Sequence, residues 1–172
     1  YVYDVLNRLT KITYADSKSV SYTYDDRNNV IKMVDSIGTT SYSYDSFDRL
    51  TKITNPYGKA ITYTYDNTDR LIKIVYPDNR AVSYNYDNAG RLLTVTDWNG
   101  GKVNYGYNKN NLFSTKTYPN GISAQYGYDG ANRLVSLSYI LAGNNIAKFS
   151  YERDSLGNIT KAIEEGSFLT GI

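Results

Sequence analysis

The chain has no cysteine and no histidine, one tryptophan, one methionine and three prolines in 172 residues. Without cysteine there is no thiolate nucleophile, no disulfide and no thiolate-ligated zinc, and without histidine there is no imidazole base. Absence of cysteine is compatible with either redox compartment. No apolar run reaches the roughly 18 residues that suggest a membrane-spanning helix, and no signal-peptide core is present. Neither sign of charge dominates. The formal net charge is +2, and Lys and Arg fall singly along the sequence. That distribution gives no basic stripe of the kind that neutralises a phosphate backbone, so nucleic acid is not expected, and the lack of a long apolar run means that no membrane span is expected either.

What the chain has in excess is tyrosine, 20 residues, and it is ordered. The phrase Tyr-x-Tyr-Asp recurs in seven phased copies, from Tyr1-Val2-Tyr3-Asp4 through Tyr63-Thr64-Tyr65-Asp66 to Tyr126-Gly127-Tyr128-Asp129. A degenerate eighth stands at Tyr151-Glu152-Arg153-Asp154. Successive closing Asp or Asn residues lie 21, 20, 21, 21, 21 and 21 residues apart and then 25, which places a four-residue insertion near Ile140 to Asn145. A fixed period in this range marks a stacked repeat array. Residues 1–138 read as about seven in-phase repeats, and 139–172 as the insertion, the eighth copy and a tail.

Within a repeat, the residues one, three and five before the Asp are Tyr, Tyr and mostly apolar (Val20, Ile61, Val82, Val103). Those between them are Ser, Thr, Asn or Gly. Strict alternation predicts a half-buried strand with the Tyr pair packed in a core. Three residues after the Asp stand Asn7, Asn28, Asp48, Asp69, Gly90, Asn111, Asn132 and Gly157, types that tolerate a left-handed backbone. Asp followed by such a residue predicts a capped hairpin turn. The next strand carries Arg, Leu and, three beyond Leu, Ile, as in Arg49, Leu50 and Ile53. Leu and Ile at that spacing reach the same face only if a bulge follows the turn. The Arg is read as a register pin that pairs with a neighbouring repeat's carboxylate. A second turn holds all three prolines, as in Asn55-Pro56-Tyr57-Gly58. The sum is an all-β chain: tandem hairpins of about 21 residues forming a continuous curved antiparallel meander of roughly 14 to 16 strands.

The consensus Tyr-x-Tyr-Asp-x-x-Gly/Asn-Arg-Leu-x-x-Ile, with a Pro-Asp/Asn-Gly turn, resembles the YD repeat of the Rhs family. That family includes bacterial Rhs and wall-associated polymorphic toxins, insecticidal toxin-complex shell proteins and teneurins. Tyr84-Asn85-Tyr86-Asp87-Asn88-Ala89-Gly90-Arg91-Leu92 carries the phrase most fully. The resemblance covers essentially the whole chain and implies a sheet strip wound into a spiral shell or barrel, which in bacterial members encloses a C-terminal toxin. Two departures stand out. There is no Asp-Pro dipeptide of the family's self-cleaving core segment, and the sixth copy has Leu112 in place of Arg and Lys116 in place of Ile. A one-residue slip is the expected remedy for the latter. Starting at the first Tyr of a repeat with no cap before it and no initiating Met, the chain is expected to have flanking repeats in a longer parent or to self-associate edge to edge.

The recurring Asp residues read as turn caps, since no short loop gathers the several oxygens a hard cation requires. No catalytic residue, cofactor or metal is expected. The leading expectation is a non-catalytic segment of an Rhs-type shell around a C-terminal effector, in a secreted or bacterial cell-surface protein. The competing one is a repeat module that binds a surface glycan or protein, with Trp98 and Tyr57, both in second turns, as ligand contacts.

Overall fold

The computed structural model describes residues 1–166, so the tail expected from residue 167 on lies outside the described residues. Each repeat folds as the alternation dictates, giving β1 (Val2–Tyr3), β2 (Leu9–Thr13), β3 (Ser19–Tyr24), β4 (Val30–Val34), β5 (Thr39–Tyr44), β6 (Leu50–Thr54), β7 (Ala60–Tyr65) and β8 (Leu71–Val75). They are followed by β9 (Ala81–Tyr86), β10 (Leu92–Thr96), β11 (Lys102–Tyr107), β12 (Phe113–Thr117), β13 (Ser123–Tyr128), β14 (Leu134–Leu141), β15 (Asn144–Arg153) and β16 (Ile159–Glu165). Strand order in the sheet follows chain order, so the fold is the expected all-β antiparallel meander. The chain divides into two compact units, Tyr1–Val82 and Ser83–Ile172, with the boundary inside β9.

In the first unit the odd and even strands pair through the bulge that the Leu/Ile spacing requires. Tyr44 faces Leu50 and Tyr42 faces Ile53, while the register shifts between Ser43 and Tyr44 and leaves Thr51 as the extra residue. The same shift recurs in β3–β4 and β7–β8. Both Tyr of the phrase therefore share a face with Leu and Ile, because one inserted residue restores the parity of the side-chain alternation.

The second unit repeats this geometry in β9–β10, β11–β12, β13–β14 and β15–β16. The four-residue insertion lengthens one hairpin, β14–β15, whose turn is Ala142 and Gly143, both at positive φ. The sixth copy needs no slip: Tyr107 faces Phe113 and Tyr105 faces Lys116, the register of every other repeat. Lys116 is tolerated at the Ile position because its ammonium lies 5.4 Å from the Tyr105 ring centroid and 4.8 Å from that of Tyr118. Desolvation opposes its charge, yet the Tyr118 hydrogen bond and the surrounding tyrosines raise its pKa.

Within each unit, the expected packed tyrosine core does not form among the described residues. Among the described residues only Ala124 is a buried hydrophobic, and the described strand contacts are all between sheet neighbours. Within each unit the tyrosines at the phrase positions from Tyr22 to Tyr128 are half-buried, screened by neighbouring side chains of the same face.

Candidate functional site

The residues that sequence analysis singled out meet at the first turn of each repeat. The Asp45 carboxylate accepts from the Phe47 backbone N–H at 2.9 Å and the Arg49 N–H at 3.1 Å. Asp48 closes the turn at φ 61°. Every closing residue expected to be left-handed is so, from Asn7 (φ 60°) to Gly157 (φ 92°). The Asp is thus a turn cap by direct contact.

The Arg then takes the second carboxylate oxygen. Arg49 Nε donates to Asp45 Oδ2 at 2.7 Å, and the pairs Arg8–Asp4, Arg70–Asp66 and Arg133–Asp129 repeat the distance. Burial works against the ionised Asp45, but the Arg49 side chain and the turn N–H groups outweigh it and hold the carboxyl below its usual range. Burial opposes the charge of Asp66 likewise, and Arg70 with the Thr68 hydroxyl and N–H pushes that carboxyl well down.

One of the two remaining guanidinium nitrogens, Nη1, reaches forward one repeat. Arg49 Nη1 donates to the Asp66 carbonyl at 2.9 Å and to Asp69 Oδ1 at 2.7 Å, and Arg8 makes the same two bonds to Asp25 and Asn28. Its plane lies over the next repeat's second Tyr: Arg8 over Tyr24 at 4.8 Å, Arg49 over Tyr65 at 4.9 Å, Arg91 over Tyr107 at 4.7 Å. The register pin expected of the Arg is present and joins the next turn's left-handed residue as well as its own Asp.

Sequence reasoning missed the return contact. The Tyr24 hydroxyl donates back to the Leu9 carbonyl at 2.7 Å, and Tyr44 to Val30, Tyr65 to Leu50 and Tyr107 to Leu92 do so at 3.0 Å. An Arg from one hairpin and a Tyr hydroxyl from the next therefore interlock. The signal was the second Tyr never becoming Phe in the seven phased copies.

Irregular copies rebuild the tie from other residues. Repeat two has Asn29 at the Arg position, and its amide bridges Asp25 at 3.1 Å and Asp48 at 2.8 Å while Arg27 adds a bond to the Ser46 carbonyl at 2.8 Å. In repeat six Asn110 reaches Asn132 at 2.6 Å. In the eighth copy Arg153 stands at the second Tyr position and donates to the Leu134 carbonyl at 3.1 Å, replacing the hydroxyl bond. The left-handed residue there is Gly157, where an added Cβ would come within 2.7 Å of Arg133 Nη1.

These ties engage the recurring Asp and Arg and the hydroxyls of Tyr24, Tyr44, Tyr65 and Tyr107, and no group of three or more Asp or Glu among the described residues could hold a metal ion. Tyr57 and Trp98 each stand in a second turn, of a different unit, 76% and 48% exposed. No helix among the described residues is long and apolar enough to cross a membrane.

Tandem hairpins with an interlocked Tyr-Asp-Arg turn define a YD-repeat sheet. The model of the Teneurin YD-shell family matches residues 1–169, and the chain belongs to that family. No curated protein sequence matches it. Among solved structures, the crystal structure of TcdB2-TccC3-Cdc42 is similar with a TM-score of 0.71 at 16% identity, over 88% of this chain and 9% of that one. TcdB2-TccC3 without its hypervariable C-terminal region gives 0.70 at 16% identity, over 88% of this chain and 9% of that one. The Photorhabdus luminescens Tc holotoxin pore gives 0.56 at 12% identity, over 95% and 12%. At these identities the likeness is one of fold, and the chain spans about a tenth of the length of these structures.

Proposed function

We propose that the chain is a non-catalytic wall segment of an Rhs-type shell that encloses a C-terminal effector in a secreted or surface bacterial protein. The observation that carries this reading is the interlock: the recurring Asp, Arg and second Tyr of the phrase join one hairpin to the next. A sheet tied in this way extends by adding repeats, each stabilised by its neighbours. Membership of the YD-shell family supports the same reading. Its test is protease accessibility of the region that follows the repeats in the parent protein. A protected region that becomes cleavable only when the repeats unfold supports the enclosure, and free cleavage in the folded parent rejects it.

The exposure of Tyr57 and Trp98 favours a second reading, in which these aromatics stack on sugars of a surface glycan. A glycan array probed with the chain and with its Tyr57→Ala and Trp98→Ala variants decides this. Retention that is absent, or that ignores both changes, disposes of it.

A further inference from the structure

The lysines that fall singly in the sequence are gathered by the fold. Lys11, Lys32, Lys52 and Lys73 occupy the same position of four consecutive even strands, β2, β4, β6 and β8, all in the first unit. Their partners across the ladder show the face they share. Lys11 stands opposite Ser21, and Lys32 opposite Thr23 two residues further along β3, so each lysine is displaced from the last by one double strand spacing and two residues. With strands about 4.7–4.9 Å apart and a rise of about 3.3 Å per residue, consecutive lysines lie roughly 12 Å apart on a diagonal. Two hydroxyl-bearing residues fill each interval.

This is the face opposite the tyrosines. All four lysines are exposed and form no ion pair among the described residues, and strands β2 to β8 contain no Asp or Glu. The carboxylates of this unit lie in the turns, where Arg and backbone N–H groups hold those of Asp4, Asp45 and Asp66. In the second unit the corresponding positions are Thr94, Thr115, Ser136 and Lys161, and that one lysine is paired with Glu152 across the ladder at 3.2 Å. The stripe is therefore a feature of the first four repeats rather than a by-product of the period.

We propose that this stripe binds a linear acidic polysaccharide, carboxylated or sulfated, laid diagonally across β2 to β8. Charge complementarity selects a polyanion, and the distribution of groups selects its kind. Bases of single-stranded nucleic acid bind on aromatic platforms, and the strand tyrosines of these repeats lie on the other face. Duplex DNA places a phosphate about every 3.4 Å on each strand, far denser than four cations at roughly 12 Å. An acidic peptide in extended form seeks unpaired strand N–H and C=O groups, and the interior strands have already paired theirs. A polyhydroxylated chain with charges at intervals matches lysines separated by Ser and Thr hydroxyls. This inference is independent of what, if anything, the repeats enclose.

The test is binding of the whole chain to dextran sulfate and polygalacturonate against neutral dextran, single-stranded DNA and polyglutamate, at several salt concentrations. A Lys32→Gln/Lys52→Gln variant is compared with a Lys102→Gln/Lys109→Gln variant of equal net charge. Thermal unfolding checks that both variants are folded, as exposed positions predict. The expected result is tighter binding to the acidic polysaccharides than to the other polymers, weakened by salt and reduced about tenfold or more by the first variant alone. Equal loss in both variants means net charge only and overturns the proposal. Preference for DNA or polyglutamate, or no binding to either polysaccharide, overturns it too.

Discussion

The Tyr65 hydroxyl donates to the Leu50 carbonyl at 3.0 Å, although the two residues lie on strands that belong to different repeats. The bond closes a loop of contacts in which Arg49 leans forward over the Tyr65 ring and holds Asp69. Repeat four is thus gripped by repeat three and grips back.

Removing only that hydroxyl is the sharpest change. Tyr65→Phe keeps the ring and its cation contact but leaves a carbonyl without its partner, and is expected to cost about 0.5–1.5 kcal/mol. Truncation of a fully buried aromatic costs about 3–5 kcal/mol. Tyr65 is half-buried, so Tyr65→Ala is expected to fall short of that range in urea denaturation. A full core-like loss would show that the tyrosine face is covered.

Arg49 makes bonds in two directions from one planar fork, to Asp45 on one side and to Asp66 and Asp69 on the other. A lysine carries the charge but cannot span these acceptors or stack its plane on Tyr65. Arg49→Lys is therefore expected to lower the melting temperature nearly as much as Arg49→Met. Full retention of stability in Arg49→Lys would mean that charge alone matters.

Stability should form a plateau bounded by carboxylates on one side and phenols on the other. Turn N–H groups and Arg partners lower the pKa of Asp4, Asp87 and Asp129. A lowered native pKa gives stability that is present above the unfolded value near 4 and lost as pH falls through the native one. Burial raises the phenols of Tyr44, Tyr65 and Tyr107. That contribution is present below the unfolded value near 10 and lost as pH rises through the native one, when the hydroxyl can no longer donate to its carbonyl. Denaturation across pH, with phenolate absorbance, should show both edges. Tyrosines titrating at the unfolded value would contradict the upper one.

Arg153 offers a restoring substitution. Its Nη2 supplies the bond to Leu134 that Tyr makes elsewhere, yet its Nε is buried without a hydrogen-bond partner. Arg153→Tyr restores the phrase and removes that orphan, and is expected to stabilise the chain by about 1 kcal/mol. A destabilised variant would show that the Arg153 bond to the Gly157 carbonyl, at 2.9 Å, outweighs the orphan.

The strands, the turns and the bulge were legible because each is a local rule. Alternation fixes a face, Asp and a left-handed residue fix a turn, and Leu three residues from Ile demands an extra residue. What escaped was carried between repeats. That Tyr24 reaches the Leu9 carbonyl and that Lys11 and Lys32 share a stripe depend on pairing register, which brings together residues about 15 to 21 positions apart. The core expectation for the tyrosines failed for a related reason: alternation tells which face is apolar but not whether another layer covers it. Tyr57 and Trp98 stood out by type and lie in exposed turns.

The central claim is that the recurring Tyr, Asp and Arg join neighbouring hairpins. Native-state amide hydrogen exchange on the Arg49→Met/Tyr65→Phe double variant tests it most directly. The expected result is lost protection in β5 to β8, on both sides of the broken tie, with β13 to β16 little changed. Unaltered protection in β5 to β8 would contradict it.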